Sequence, residues 1–195
     1  MTPVHLRNVP PPDEKFEHTR FFDFLFSYIR PEVYLELGVR CGTNFNAVSK
    51  HCKLAIGVDV LPLPFTLGHN QVYYQQTTDS FFKAIGPSMK FDCVFIDADH
   101  SHEQSYKDFL NVKDRVIEDG FIFLHDTYPI TDFYICDDGC SDCYKTALKI
   151  KSNFIDEFEV LTLPFQPGLS MLKRMNRNKQ MAWKDPESLS RIFPF

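Results

Sequence analysis

The sequence predicts an α/β fold, a doubly wound sheet of seven strands that is mostly parallel and ends in a C-terminal antiparallel hairpin strand. Three observations carry that prediction. From Val33 onward, short apolar runs alternate with longer amphipathic ones, the rhythm of parallel strands joined by crossover helices. The first apolar run leads straight into a glycine turn, Gly38-Val39-Arg40-Cys41-Gly42, and then into a helical pattern. Gln166-Pro167-Gly168 separates the last two apolar runs by a turn suited to antiparallel neighbours.

Each element has its own signal. Pro10, Pro11 and Pro12 end an extended arm, after which Phe16, Phe21, Phe24, Leu25 and Tyr28 recur at helical spacing and predict a helix over 14–29. Strands are expected at 33–37, 54–59, 71–75, 91–97 and 119–125. Helices are expected between them at 43–52, 79–86 and 101–117, the last with Tyr106, Phe109, Leu110, Val112 and Val116 as its apolar face. Residues 127–140, rich in Asp, Gly, Cys and Tyr, read as a loop, followed by a helix at 142–154 and strands at 158–163 and 169–174. The tail beyond Asn176 carries little that could pack. The expected organisation is one domain over 1–195: arm and helix to 30, core over 31–175, and tail from 176.

Composition bounds the function. With 195 residues, 44% apolar and 15% aromatic, the chain can bury one core and is short for two. A net charge of -5 gives no general attraction to phosphate backbones, so nucleic acid is not the expected partner. Lys173, Arg174, Arg177 and Lys179 form the one evident basic cluster and read as a solvated tail. No apolar run approaches the ~20 residues of a membrane span, and no leader pattern opens the sequence, so the expected location is cytoplasmic. The six cysteines then read as free thiols of a reducing compartment.

Two constellations carry chemistry. In Glu36-Leu37-Gly38-Val39-Arg40-Cys41-Gly42-Thr43-Asn44, an acid precedes the glycine turn where a dinucleotide fold would seat a pyrophosphate, and Glu36 suits a cationic ligand instead. The second is Asp97-Ala98-Asp99-His100-Ser101-His102 after the fourth strand, with His125-Asp126 after the fifth. Neighbouring parallel strands deliver these groups to one edge of the sheet, and converging carboxylates repel unless a cation or proton intervenes.

The acidic-x-Gly-x-x-x-Gly turn resembles the first motif of the class I S-adenosylmethionine-dependent methyltransferases, and the resemblance runs over about residues 30 to 175. It implies a Rossmann-like fold. It also implies that Glu36 and Gly38 lie against the methionine part of the cofactor, with Gly42, Thr43 and Asn44 following around the turn. Asp59 would take the ribose hydroxyls, and Asp79 with Ser80 would stand where the adenine amino group is read. The acids after the fourth and fifth strands are similar to those of metal-dependent O-methyltransferases acting on catechols and macrolide sugars, and of the cephalosporin-hydroxylase-like group. On that resemblance Asp97 or Asp99, with Asp126, would hold Mg2+, and Asp97 would also border the methyl donor. His125, standing where relatives often carry an acid, leaves Mn2+ or Zn2+ open.

Alcohol methylation needs a proton acceptor or a metal ion, and imidazole titrates near neutrality. His100 is the expected base, with Asp97 and Asp126 beside it; His102 is expected to face solvent. Cys136, Cys140 and Cys143 read as part of a folded specificity loop, with a zinc knot as the alternative. Tyr128, Phe133 and Tyr134 could wall a phenolic acceptor. The expected acceptor is a hydroxyl of a sugar or other small molecule, with room for a second subunit to complete the site. A NAD-dependent oxidoreductase and a cofactor-binding module without catalysis are the alternatives, the first because Asp59 stands about twenty residues past the first glycine of the turn.

Overall fold

A computed structural model of the chain describes residues 17–129, 131, 134–135, 139–165 and 167–175. The elements in order are α1 (Glu17–Ile29), β1 (Val33–Leu37), α2 (Thr43–Ser49), β2 (Leu54–Asp59), β3 (Gln71–Gln75), α3 (Thr78–Ala84), β4 (Phe91–Ile96), α4 (His102–Val112), β5 (Val116–His125), α5 (Tyr144–Asn153), β6 (Phe158–Leu163) and β7 (Leu169–Arg174). They form one seven-stranded sheet in the order β3-β2-β1-β4-β5-β7-β6. The first five strands are parallel, and β7 inserts antiparallel between β5 and β6. That insertion differs from the 3-2-1-4-5-6 order of dinucleotide-binding sheets.

The two-residue period of a strand divides the core. Leu35, Leu37, Val94, Ile96, Ile122 and Leu124 pack on one face with Phe81 and Phe109 from α3 and α4. Tyr34, Cys93, Phe95 and Phe123 face the other way and meet Phe22 and Phe26 of α1 and Phe45 of α2. Phe22 is fully buried, with ring centroids 5.0 Å from Phe95 and 4.7 Å from Phe123. The same period assigns Glu36, Asp97 and His125 to the α1 side, since each follows a residue of that face by two positions.

Three sequence expectations need correction. The helix expected over 101–117 ends at Val112, and Val116 opens β5 opposite Phe91 rather than finishing the helix face. The β-branched pair Val116-Ile117 favours the extended backbone, and an irregularity at Asp119 (φ 63°) and Gly120 carries the strand on to Phe121. Lys173 and Arg174 belong to β7: Arg174 donates to the carbonyls of Lys113 and Val116 and lies over the Phe158 ring. Arg177, Lys179 and the arm at 10–12 lie outside the described residues. Among those described, no helix is long and apolar enough to cross a membrane.

Candidate active site

The glycine turn is built by close approach. At Gly38 (φ 90°) an added Cβ would stand 2.1 Å from the Asp97 carbonyl oxygen, so only glycine lets the β1 turn touch the end of β4. At Gly42 (φ 77°) it would stand 2.0 Å from the Phe65 ring. Asp59 ties the turn from β2: its Oδ2 accepts from the amides of Val39 (2.8 Å) and Arg40 (2.7 Å), and its Oδ1 from that of Leu61 (2.9 Å). The expected ribose ligand is therefore also the brace of the turn. Thr43 pairs its hydroxyl with the Cys41 thiol at 3.2 Å.

Glu36 is 1% exposed, and its Oε2 accepts from the Tyr34 hydroxyl (2.6 Å) and from Asn44 Nδ2 (2.8 Å). Burial pushes its carboxyl up to about 8, against the lowering effect of those two donors; the Asp97 charge raises it further. Asn44 thus supports Glu36 from α2, and Tyr34, which the motif reading missed, stands two residues away on the same strand face. Strand periodicity was the available signal.

Asp79 lies in the first turn of α3 and is held by α4: its Oδ2 pairs with Lys107 Nζ at 2.5 Å, and Gln104 Nε2 stands 3.4 Å from its Oδ1. The Lys107 ammonium keeps the Asp79 carboxyl below its ordinary value. Ser80 donates its amide to the Thr77 hydroxyl that caps the helix.

At the ends of β4 and β5, Asp97, His100 and Asp126 converge, with one ligating atom from each lying within 4.8 Å of the others. His100 donates from Nδ1 to the Gly139 carbonyl (2.6 Å), because a carbonyl can only accept; Nε2 is then the ring atom with a lone pair. That Nε2 lies 3.7 Å from Asp97 Oδ1, while Nδ1 lies 3.1 Å from Asp126 Oδ2. Asp126 takes a left-handed backbone (φ 59°), unusual outside glycine and tolerated best by Asp and Asn. Its Oδ2 is buried 3.1 Å from His100 Nδ1, and the Cys140 thiol donates to the same carboxylate, helping to hold it below its ordinary value.

His125 and Asp99 do not take the roles expected of them. His125 Nδ1 lies 3.0 Å from Asp97 Oδ1 and 3.1 Å from Asp126 Oδ1, a donor bridging the two acids rather than a ligand beside them. Burial works against its charge, but the two carboxylates outweigh burial and raise it to about 10. Its ring meets His18 of α1 edge-on at 4.4 Å, and there burial, reinforced by the His125 charge, pushes His18 down to about 3. Asp99 is exposed and accepts from the Ser101 amide at 2.8 Å, outside the cluster, because a short acid two residues before a helix cap closes its own local turn.

His102, expected in solvent, is half-buried and bonds the Thr146 hydroxyl of α5 at 2.8 Å. Cys140 and Cys143 are buried; Cys143 donates to the His125 carbonyl (3.6 Å), and neither joins a metal-ligating group among the described residues. Cys136 and Phe133 lie outside the described residues. Tyr128 is exposed, and its amide is bound to the Pro167 carbonyl at 2.9 Å.

Residues 35–127 match the family model described as a methyltransferase domain. A search of curated proteins found no match. Among solved structures, an SAH-bound methyltransferase from Podospora anserina superposes with a TM-score of 0.63 at 15% identity, covering 82% of this chain and 78% of that one. An O-methyltransferase from Bacillus cereus, in complex with SAH, gives 0.58 at 13% identity over 86% and 84%. The N-methyltransferase NodS from Bradyrhizobium japonicum gives 0.57 at 13% over 82% and 96%. The fold is that of the class I S-adenosylmethionine-dependent methyltransferases.

Proposed function

We propose that this chain, a class I methyltransferase by its fold and matched domain, moves a methyl group from S-adenosylmethionine to a hydroxyl of a small molecule, with sugars and phenols as the acceptor classes. The observation that supports this best is the pairing of two sites on one sheet edge. The glycine turn with Glu36 and Asp59 suits the donor, and Gly38 lies against Asp97, which belongs to the second group with His100 and Asp126. Thr43, Asp79 and Ser80 line the remaining family positions.

In the proposed reaction the acceptor oxygen attacks the methyl carbon, the sulfur–methyl bond breaks, and its electron pair returns to sulfur, leaving S-adenosylhomocysteine. His100 Nε2 takes the hydroxyl proton. Its opposite nitrogen is fixed by Gly139, which holds the ring in the tautomer this needs. Asp97 and Asp126 then face the imidazolium that forms, offsetting its charge. The His100 side chain is 39% exposed, so an acceptor can reach it.

A divalent ion is the second reading, supported by the burial of the Asp126 carboxylate and by the close set of two carboxylates and an imidazole. Asp97, His100 and Asp126 would hold it, and one nitrogen ligand favours Mn2+ or Zn2+ over Mg2+. Bound there, it would lower the pKa of an acceptor hydroxyl. Transfer of labelled methyl from the donor across a sugar and phenol panel, with and without chelator, tests both readings. Activity that survives chelator assigns the proton to His100, activity lost and restored by Mn2+ assigns the ion, and no transfer to any hydroxyl opposes O-methylation.

A further inference from the structure

Glu36 is a carboxyl group in an unusual position. Its side chain is buried on β1, and among the described residues the bonds to it come from neutral donors, the Tyr34 hydroxyl and the Asn44 amide of α2, both at one oxygen. Among the described residues no Lys, Arg or His forms an ion pair with it, whereas the acids at the ends of β4 and β5 stand among histidines. The titratable groups acting on it are Tyr34 on its own strand, Asp97 beyond β4, and the thiols of Cys41 and Cys52. All are neutral or negative. A buried carboxylate without a cation is costly, so the protonated acid is the resting form.

We propose that Glu36 exchanges its proton for the cationic methionine end of the donor, so that binding of S-adenosylmethionine releases one proton and depends on pH through this residue. The inference rests on the donor site proposed above. The O–H bond of Glu36 breaks, the proton passes to solvent, and the carboxylate left behind faces the donor's positive charge while Tyr34 and Asn44 keep their bonds to it. Tyr34 and Asn44 are positioning residues in this account: they lower the cost of the carboxylate and aim it. The elevation of this acid to about 8 agrees with the geometry.

The sign is definite. Below about pH 8 the free protein holds the proton and the complex does not, so affinity for the donor rises with pH by up to roughly tenfold per unit. Calorimetric titration of the full chain with S-adenosylmethionine at about pH 6.5, where the donor's own amino group is already protonated, counts the proton through buffers of different ionisation enthalpy. The expected result is release of about one proton per donor bound in the native chain and none in Glu36→Gln, which binds ~10–100-fold more weakly near pH 8 with a flat pH profile. Tyr34→Phe removes a donor that favours the carboxylate, so the pH midpoint moves upward; it also serves if the Gln variant fails to fold. Binding without proton release, or release that persists in Glu36→Gln, overturns the proposal while leaving the donor site standing. No binding of S-adenosylmethionine overturns the donor site and this inference with it.

Discussion

The two ends of the site solve the same problem in opposite ways. At the ends of β4 and β5, Asp97 and Asp126 are accompanied by the imidazoles of His100 and His125, and His125 supplies an internal positive partner for both acids. On β1, just before the glycine turn, the described residues bonded to Glu36 are Tyr34 and Asn44, both neutral. An acid with internal cations is suited to handling protons, and one without them to receiving a cation from outside. Under the proposed function this contrast puts acceptor activation at one end and donor recognition at the other.

The most forceful way to break this division is His100→Ala. Loss of a positioned base is expected to lower turnover by ~10²–10⁴ while donor affinity, read by titration, stays within about twofold. Equal losses in both would merge the two ends into one site. Gly38→Ala acts at their junction: the new Cβ meets the Asp97 carbonyl at 2.1 Å, and the positive φ adds strain on the order of 1–3 kcal/mol. Donor binding is expected to fall below detection, and the melting temperature should drop by several degrees.

A smaller effect separates Glu36 from another buried acid whose carboxyl is raised, Asp108 in α4. Burial raises both, to about 8 and about 6, while hydrogen bonds from Thr78 and Gln104 partly oppose the shift at Asp108. A raised carboxyl contributes stability that is complete below its ordinary value and is lost as pH rises through the folded one. The melting temperature of the free protein should therefore fall from about pH 5 to about pH 9, by on the order of several degrees. Asp108→Asn removes the lower part of that fall, and the donor offsets the upper part. The smallest effect is expected at Lys107→Met. Its pair with Asp79 is exposed, and the melting temperature should move by about two degrees or less. A larger change in donor affinity than in stability would support Asp79 as the adenine contact.

All seven strands were legible because each is an apolar run with a turn signal beside it, and the shared edge of β4 and β5 was enough to bring Asp97, His100 and Asp126 together. What stayed hidden depended on backbone direction within a residue or two. Asp99 and Asp97 are near neighbours in sequence, yet only Asp97 continues the α1-facing row of β4, and Asp99 closes a local turn. His125 and Asp126 are adjacent, and the left-handed backbone at Asp126 is what lets both carboxylate oxygens meet histidines. Tyr34 could have been found by the strand period, whereas His18 and Gly139 reach the site through tertiary packing, which no local pattern encodes. The start of β5 was lost because Val116 fits helical spacing and strand propensity equally well.

The central claim is that the β1 turn binds a sulfonium donor rather than a dinucleotide, and parallel titrations of the full chain with S-adenosylmethionine and with NAD test it most directly. The account predicts saturable binding of S-adenosylmethionine, weakened by Glu36→Gln, and no competition from NAD. Binding of NAD that displaces S-adenosylmethionine, or that persists unchanged in Glu36→Gln while the methyl donor fails to bind, would contradict it.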